Sequence, residues 1–240
     1  MLLYVRHVIR SSARLALVLP VLLVASTVAV RAQQTDKATP ESPAAGDTGH
    51  ADVPRMFGML PNYGTVEPAT HAQPIATPQI FALATKNSFD PVVFPFVGFS
   101  AGLGQGGSGD YAERYATVLA DNTIGNLMTS AIMPVVLHQD PRYYELGSGG
   151  VLRRTGYALS RTLVTRARTG ERQFNVSEIG GNLAAASMSN IYYAPGDRSV
   201  SGTLTRWGTQ VMWDALSNEL KEFWPDVRAF IRSRRGPQQP

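Results

Sequence analysis

The sequence predicts an all-α fold: a single compact bundle of about five or six helices with Gly- and Pro-rich breaks, behind a disordered leader. Three observations carry this. Apolar residues recur at helical spacing in several stretches, no stretch sustains a two-residue alternation, and no strand–helix–strand rhythm appears.

The chain opens with what reads as a secretory signal peptide over residues 1–32. Arg6, His7, Arg10 and Arg14 form a positive beginning, residues 15–30 are uncharged and mostly apolar, and Val30-Arg31-Ala32 predicts cleavage before Gln33. The apolar run is short for a membrane span, which needs roughly 20 residues. Export follows as the expectation. The whole chain has 22 Lys+Arg against 18 Asp+Glu, and residues 1–32 hold four arginines and no acid. The mature chain is therefore neutral, so its pI of about 9.5 gives no reason to expect nucleic-acid binding.

Residues 33–52 are mostly Ala, Thr, Pro, Gly, Asp and Gln with little to bury, which predicts a disordered spacer. Residues 53–76 begin with an apolar cluster (Met56, Phe57, Met59, Leu60, Tyr63) that is expected to dock back on its own domain. The helical domain spans 77–232. Thr77-Pro78 starts a short helix to residue 87. Residues 89–103 carry Pro91 and Pro95 and run into glycines, which predicts a broken helix or extended segment ending in a flexible turn.

Residues 111–138 form the longest helical candidate, with a kink expected at Pro134. Residues 151–168 are the most amphipathic. Leu152, Gly156, Leu159 and Leu163 fall within about 60° of one another on a helical wheel, opposite Arg154, Arg161 and Arg168. Asn175 and Glu178 have capping-box spacing at the head of a helix to about residue 193. Gly181, Ala185 and Ser189 give that helix a small-residue face for close packing. Residues 201–223 form a helix, Pro225 begins a last short turn, and 233–240 is a loose tail.

Absence of cysteine excludes disulfides, thiolate metal sites, a cysteine nucleophile and a lipoprotein anchor. His7, His50, His71 and His138 are the only histidines, and the last alone lies in the domain, which leaves no His-ligated metal centre. No cofactor is expected. Gly98-Phe-Ser-Ala-Gly102 matches G-x-S-x-G, which in a hydrolase needs a strand before Ser100 and a helix immediately after it. Here glycines follow, so a tight turn is the reading. Gly102, Gly104 and Gly107 match G-x-G-x-x-G without the second strand that a dinucleotide site requires. His138 and Asp140 could form an acid–base pair, or simply cap a helix end. Asp121, Asn122 and Asn126, and Asn182 with Asn190, interrupt otherwise apolar helices and are expected to hydrogen-bond between them. The arginine face (Arg154, Arg161, Arg168) is the candidate surface for lipid phosphates or an anionic glycan; the alternative is a solvated face paired with local acids.

Met59-Leu-Pro-Asn-Tyr63, Gln139-Asp-Pro-Arg-Tyr-Tyr144, the stretch from Phe174-Asn175 to Asn182, and Lys221-Glu-Phe-Trp-Pro-Asp226 resemble a family of exported helical proteins from Gram-negative soil bacteria. The resemblance spans roughly residues 55–230. It implies that 55–66 belongs with the domain and that the setting is the cell envelope; it brings no activity, cofactor or catalytic residue.

The function expected is that of a non-enzymatic, exported envelope protein, in the periplasm or on a membrane surface, with anionic lipid or an envelope protein as partner. Two alternatives stay open. One is a hydrolase using Ser100 or the His138/Asp140 pair. The other is a three-span membrane protein built from the uncharged stretches 91–109, 122–139 and 179–196, although the arginine-rich 140–178 loop would then face outward, against the positive-inside rule.

Overall fold

A computed structural model describes Met56, residues 62–68 and residues 73–234. Residues 1–52, where the sequence predicts a signal peptide and a spacer, and residues 235–240 lie outside the described residues. The described chain is mostly helical with little strand.

Helix α1 (Thr77–Ser88) starts as expected, with Pro78 in its first turn and the Gln79 side chain accepting from the Ala76 amide at 3.0 Å. Helix α2 (Val93–Gly102) forms where a broken segment was expected. Pro95 falls in its first turn, where the missing N–H would have had no helical partner. The following turn takes positive φ at Gly104, Gly106 and Gly107. Asp110 then caps α3 (Tyr111–Leu127), accepting from the Glu113 amide.

The expected kink at Pro134 takes the form of a π turn over Met128–Ile132, closed by the Met133 amide on the Met128 carbonyl, and α4 (Met133–Leu137) continues the rod. His138 ends it in the left-handed region at φ 55°.

Residues 139–174 depart from the sequence reading. Strand β1 (Thr65–Val66) pairs in parallel with β3 (Tyr143–Tyr144), while β2 (Gln139–Asp140), β4 (Val164–Ala167) and β5 (Arg172–Phe174) form a three-stranded antiparallel sheet. Helix α5 (Val151–Ser160) therefore stops eight residues short of the expected end. Thr162, Val164 and Thr165 are β-branched, and Gly170 at φ 93° turns the chain back so that Val164 opposes Phe174. Through β1, the end of the apolar segment lies on the domain, with Met56, Asn62 and Val66 buried.

Helix α6 (Val176–Met188) is capped by Asn175 on the Glu178 amide at 3.1 Å, and its last turn tightens to 3₁₀ over Ser189–Ile191. Its small-residue face meets the π turn: a Cβ added at Gly181 would lie 3.2 Å from Thr129 Cα. Ala185 packs with Ala120, Ile124, Tyr192 and Tyr193, and Ser189 is fully buried. Helix α7 (Val200–Arg234) runs through Pro225, where the sequence predicts a stop. Pro225 removes the amide that would bond the Lys221 carbonyl. The next carbonyl, Glu222, accepts from Arg154 on α5, so this turn is also held from outside the helix.

Among the described residues the apolar core includes three small clusters: the α3–α6 group around Ala185, a group of Ile75, Ile80, Ala84 and Ala131, and a group of Val93, Val97, Ala101 and Val118. Between them the interior is polar.

Candidate functional site

The sequence-derived candidates lie apart. Ser100 is buried in the last turn of α2 rather than at a strand-to-helix elbow. His138 is exposed, whereas Asp140 is buried and accepts from Arg142 Nε at 3.0 Å, Arg142 Nη2 at 2.7 Å and Tyr144 Oη at 2.8 Å. No hydrogen bond joins Asp140 to His138; the carboxylate is occupied by the guanidinium and phenol of its own strand turn.

The arginine face is corrected. The wheel separates leucines from arginines as the sequence indicates, but the arginine side is the inside: Arg154 is 6 % exposed and Leu152 is 87 % exposed. Arg154 Nε donates to Glu222 Oε1 at 2.9 Å, its Nη1 pairs with Asp226, and its guanidinium lies 4.6 Å from the Phe223 ring. Arg161 is buried beyond the end of α5. Arg168, beyond β4, bonds the His138 carbonyl through its backbone amide and Thr77 Oγ1 through its side chain. A helix is turned inside out when its cations find buried carboxylates and its leucines do not find a core.

Three helices meet through polar stripes at three- and four-residue spacing: Asn122, Asn126 and Thr129 on α3 and its π turn, Glu178 and Asn182 on α6, and Asp214, Asn218 and Lys221 on α7. They bound two adjoining cavities, with Asn126, Thr129 and Asp214 in the wall of both. The larger, about 530 Å³, opens beside the Gly104–Gly107 turn and α7; it includes Asp121, Arg206 and Trp213. The smaller, about 220 Å³ and mainly polar, lies among α6, α7 and the β2–β3 turn.

In the larger cavity Asp121 accepts from the Tyr192 and Tyr193 hydroxyls at 2.6 Å each, and Arg206 stacks 4.2 Å from the Tyr193 ring. Burial pushes Asp121 up to about 6 against the downward pull of both phenols and Arg206. Asn190, on the same side, bonds Thr203 and Arg206, so Asn182 and Asn190 link to α7 as expected, whereas Asn122 and Asn126 bond each other within α3 and Asp121 reaches the turn after α6.

At the boundary between the cavities, Asn182 Nδ2 donates to both Glu178 Oε1 (3.1 Å) and Asp214 Oδ2 (2.9 Å). Burial, with the Asp214 carboxylate next, holds Glu178 well above the usual carboxylate range. Burial also lowers Lys221, opposed by the charges of Asp214 and Glu178. Such a group can hold a proton at Glu178 Oε and bind a polar molecule.

Sequence reasoning missed these residues as a site. The sequence marks Glu178 only as part of a capping box and Lys221-Glu222 only as part of a resembling segment, and does not single out Asp214. The signal lay in the i, i+4 and i, i+7 polar stripes, each of which looks like a solvated face until the helices are paired. Among the described residues no three His, Asp or Glu side chains come together as a metal cage. No family model, curated protein or solved structure matches the chain.

Proposed function

We propose that this chain is an exported, non-enzymatic envelope protein whose apolar exterior rests against a membrane surface. The observation that carries the reading is the inverted polarity of α5, with Leu152, Leu159 and Leu163 exposed and Arg154 sealed inside. Phe174 and Val176 extend that apolar surface across the β4–β5 hairpin, since Asn175 bonds the Leu163 carbonyl. Phe94, Phe99 and Leu103 on α2 and Leu204, Leu216 and Leu220 on α7 are exposed as well. Apolar surface on several sides suits a lipid interface better than one flat protein partner. No helix of the described residues is long and apolar enough to cross a membrane, which favours attachment over spanning. Export rests on the residues 1–32 pattern.

The contact differs in kind from the one expected from the arginine face: it is apolar, not cationic. Expression in a Gram-negative host followed by salt and carbonate washes of the membrane pellet tests it. The protein is expected to resist salt and to leave with carbonate. Leu152→Ser, Leu159→Ser and Leu163→Ser together shift it to the soluble fraction. Retention through carbonate favours the three-span reading. A wild-type protein found wholly in the soluble fraction overturns attachment.

A further inference from the structure

The smaller cavity holds a cation with no counter-ion among the described residues. Arg161 is 7 % exposed and lines the cavity; its guanidinium lies 5.9 Å from the Tyr157 ring centroid but makes no hydrogen bond or ion pair with any described residue, and Nε is fully enclosed. A buried cation without a counter-charge is among the costliest groups a protein can hold. Burial lowers the Arg161 pKa, opposed by Tyr157 and reinforced by Arg166 and Arg172. Arg142 in the same wall is paired with Asp140, and Lys221 lies in the field of Asp214 and Glu178.

A second unpartnered group faces the same space. Ser177 is 2 % exposed, lines the cavity, and its hydroxyl has no hydrogen-bond partner. It stands in the first turn of the 13-residue α6, whose cap Asn175 donates to the Arg161 carbonyl at 3.2 Å. The guanidinium and the hydroxyl thus line the same cavity, with the positive end of a helix dipole beside Ser177.

We propose that this cavity binds a small organic monocarboxylate, its carboxylate held by Arg161 and Ser177 and its remaining polar atoms by the Glu178, Asn218 and Gln139 wall. A single guanidinium without a counter-ion suits one carboxylate, and the Glu178 and Asp214 carboxyl groups in the same wall disfavour a phosphate dianion. A guanidinium fork matches a carboxylate. At about 220 Å³ the space is several times the roughly 30 Å³ share of one water, which suits a molecule of a few heavy atoms.

Calorimetric titration and thermal melting of the purified chain test this with acetate, lactate, inorganic phosphate and chloride at matched ionic strength. Acetate and lactate are expected to give saturable heat and a raised Tm, with lactate the tighter, while phosphate and chloride do neither. Arg161→Gln is expected to weaken lactate at least tenfold and to melt no lower than wild type without ligand, because it removes an unpaired buried charge. Ser177→Ala, a smaller change that keeps the backbone cap, is expected to weaken lactate several-fold and serves as the second variant if Arg161→Gln does not fold. Arg168→Gln leaves binding unchanged. Absence of saturable binding by either carboxylate, equal binding by phosphate or chloride, or full affinity in both Arg161→Gln and Ser177→Ala overturns the proposal.

Discussion

Each carboxylate oxygen of Glu222 accepts two hydrogen bonds, Oε2 from Tyr143 and the Leu146 amide, Oε1 from the Gly147 amide and Arg154. The residue has no exposed surface. Four donors replace its hydration, which is the condition under which a buried ion is tolerated. Glu222→Ala leaves Arg154 Nε and three further buried donors without their acceptor, while Asp226 still pairs with Nη1, and is expected to cost about 3 kcal/mol in urea denaturation. Arg154→Met combined with Glu222→Leu should cost less than the two single changes added together, since neither charge is then left alone. A double-mutant cycle reads this directly. The sequence could not single out Glu222: Lys221-Glu222 on an amphipathic helix looks like a solvated pair, and the donors that bury it come from residues 143–154.

At the scale of the element, two glycines in helices have opposite roles. Gly156 on the outer side of α5 has nothing within 4 Å of an added Cβ, so Gly156→Ala is expected to stabilise by about 1 kcal/mol through helix propensity alone. Gly181 lies against the backbone of Thr129 and Met128, so Gly181→Val forces α6 away from the π turn and is expected to cost about 2–3 kcal/mol. Thermal melting of both variants tests the pair. The Gly181, Ala185, Ser189 spacing is legible in the sequence as a packing face; its partner is not. The strand β4 was missed for a related reason. Leu159, Leu163 and the arginines continue a helical wheel past Ser160, but the β2 and β5 edges compete for the backbone of 164–167, and a long-range ladder leaves no mark on local periodicity.

For the whole molecule, a polar interior makes stability depend on pH in a particular direction. Asp121 is held at about 6 and Glu145 at about 7, the second by burial first and then by Glu67 and Glu222. Both lie above their ordinary values near 4, so the folded state holds these protons more tightly than the unfolded chain. Their stabilising contribution is complete below about pH 4 and is lost as pH rises through 6 to 7. The urea midpoint is therefore expected to fall between pH 4 and pH 7, and Asp121→Asn with Glu145→Gln should flatten that slope. A midpoint in wild type that rises across the window contradicts this.

The sequence by itself determined the helical class, the starts of α1 and α6, the glycine turn after α2 and the small-residue face of α6, because each rests on spacing and capping within a few residues of chain. It also separated α5 into an arginine side and a leucine side. Only the tertiary structure decided which side is inside, since an amphipathic pattern is symmetric until a partner is chosen and Arg154 finds its carboxylate 68 residues away on α7. The same holds for the cavities: Asn126, Asn182, Asp214 and Lys221 are ordinary helix-surface residues in one dimension, and become an enclosed polar site when three helices turn those stripes toward one another.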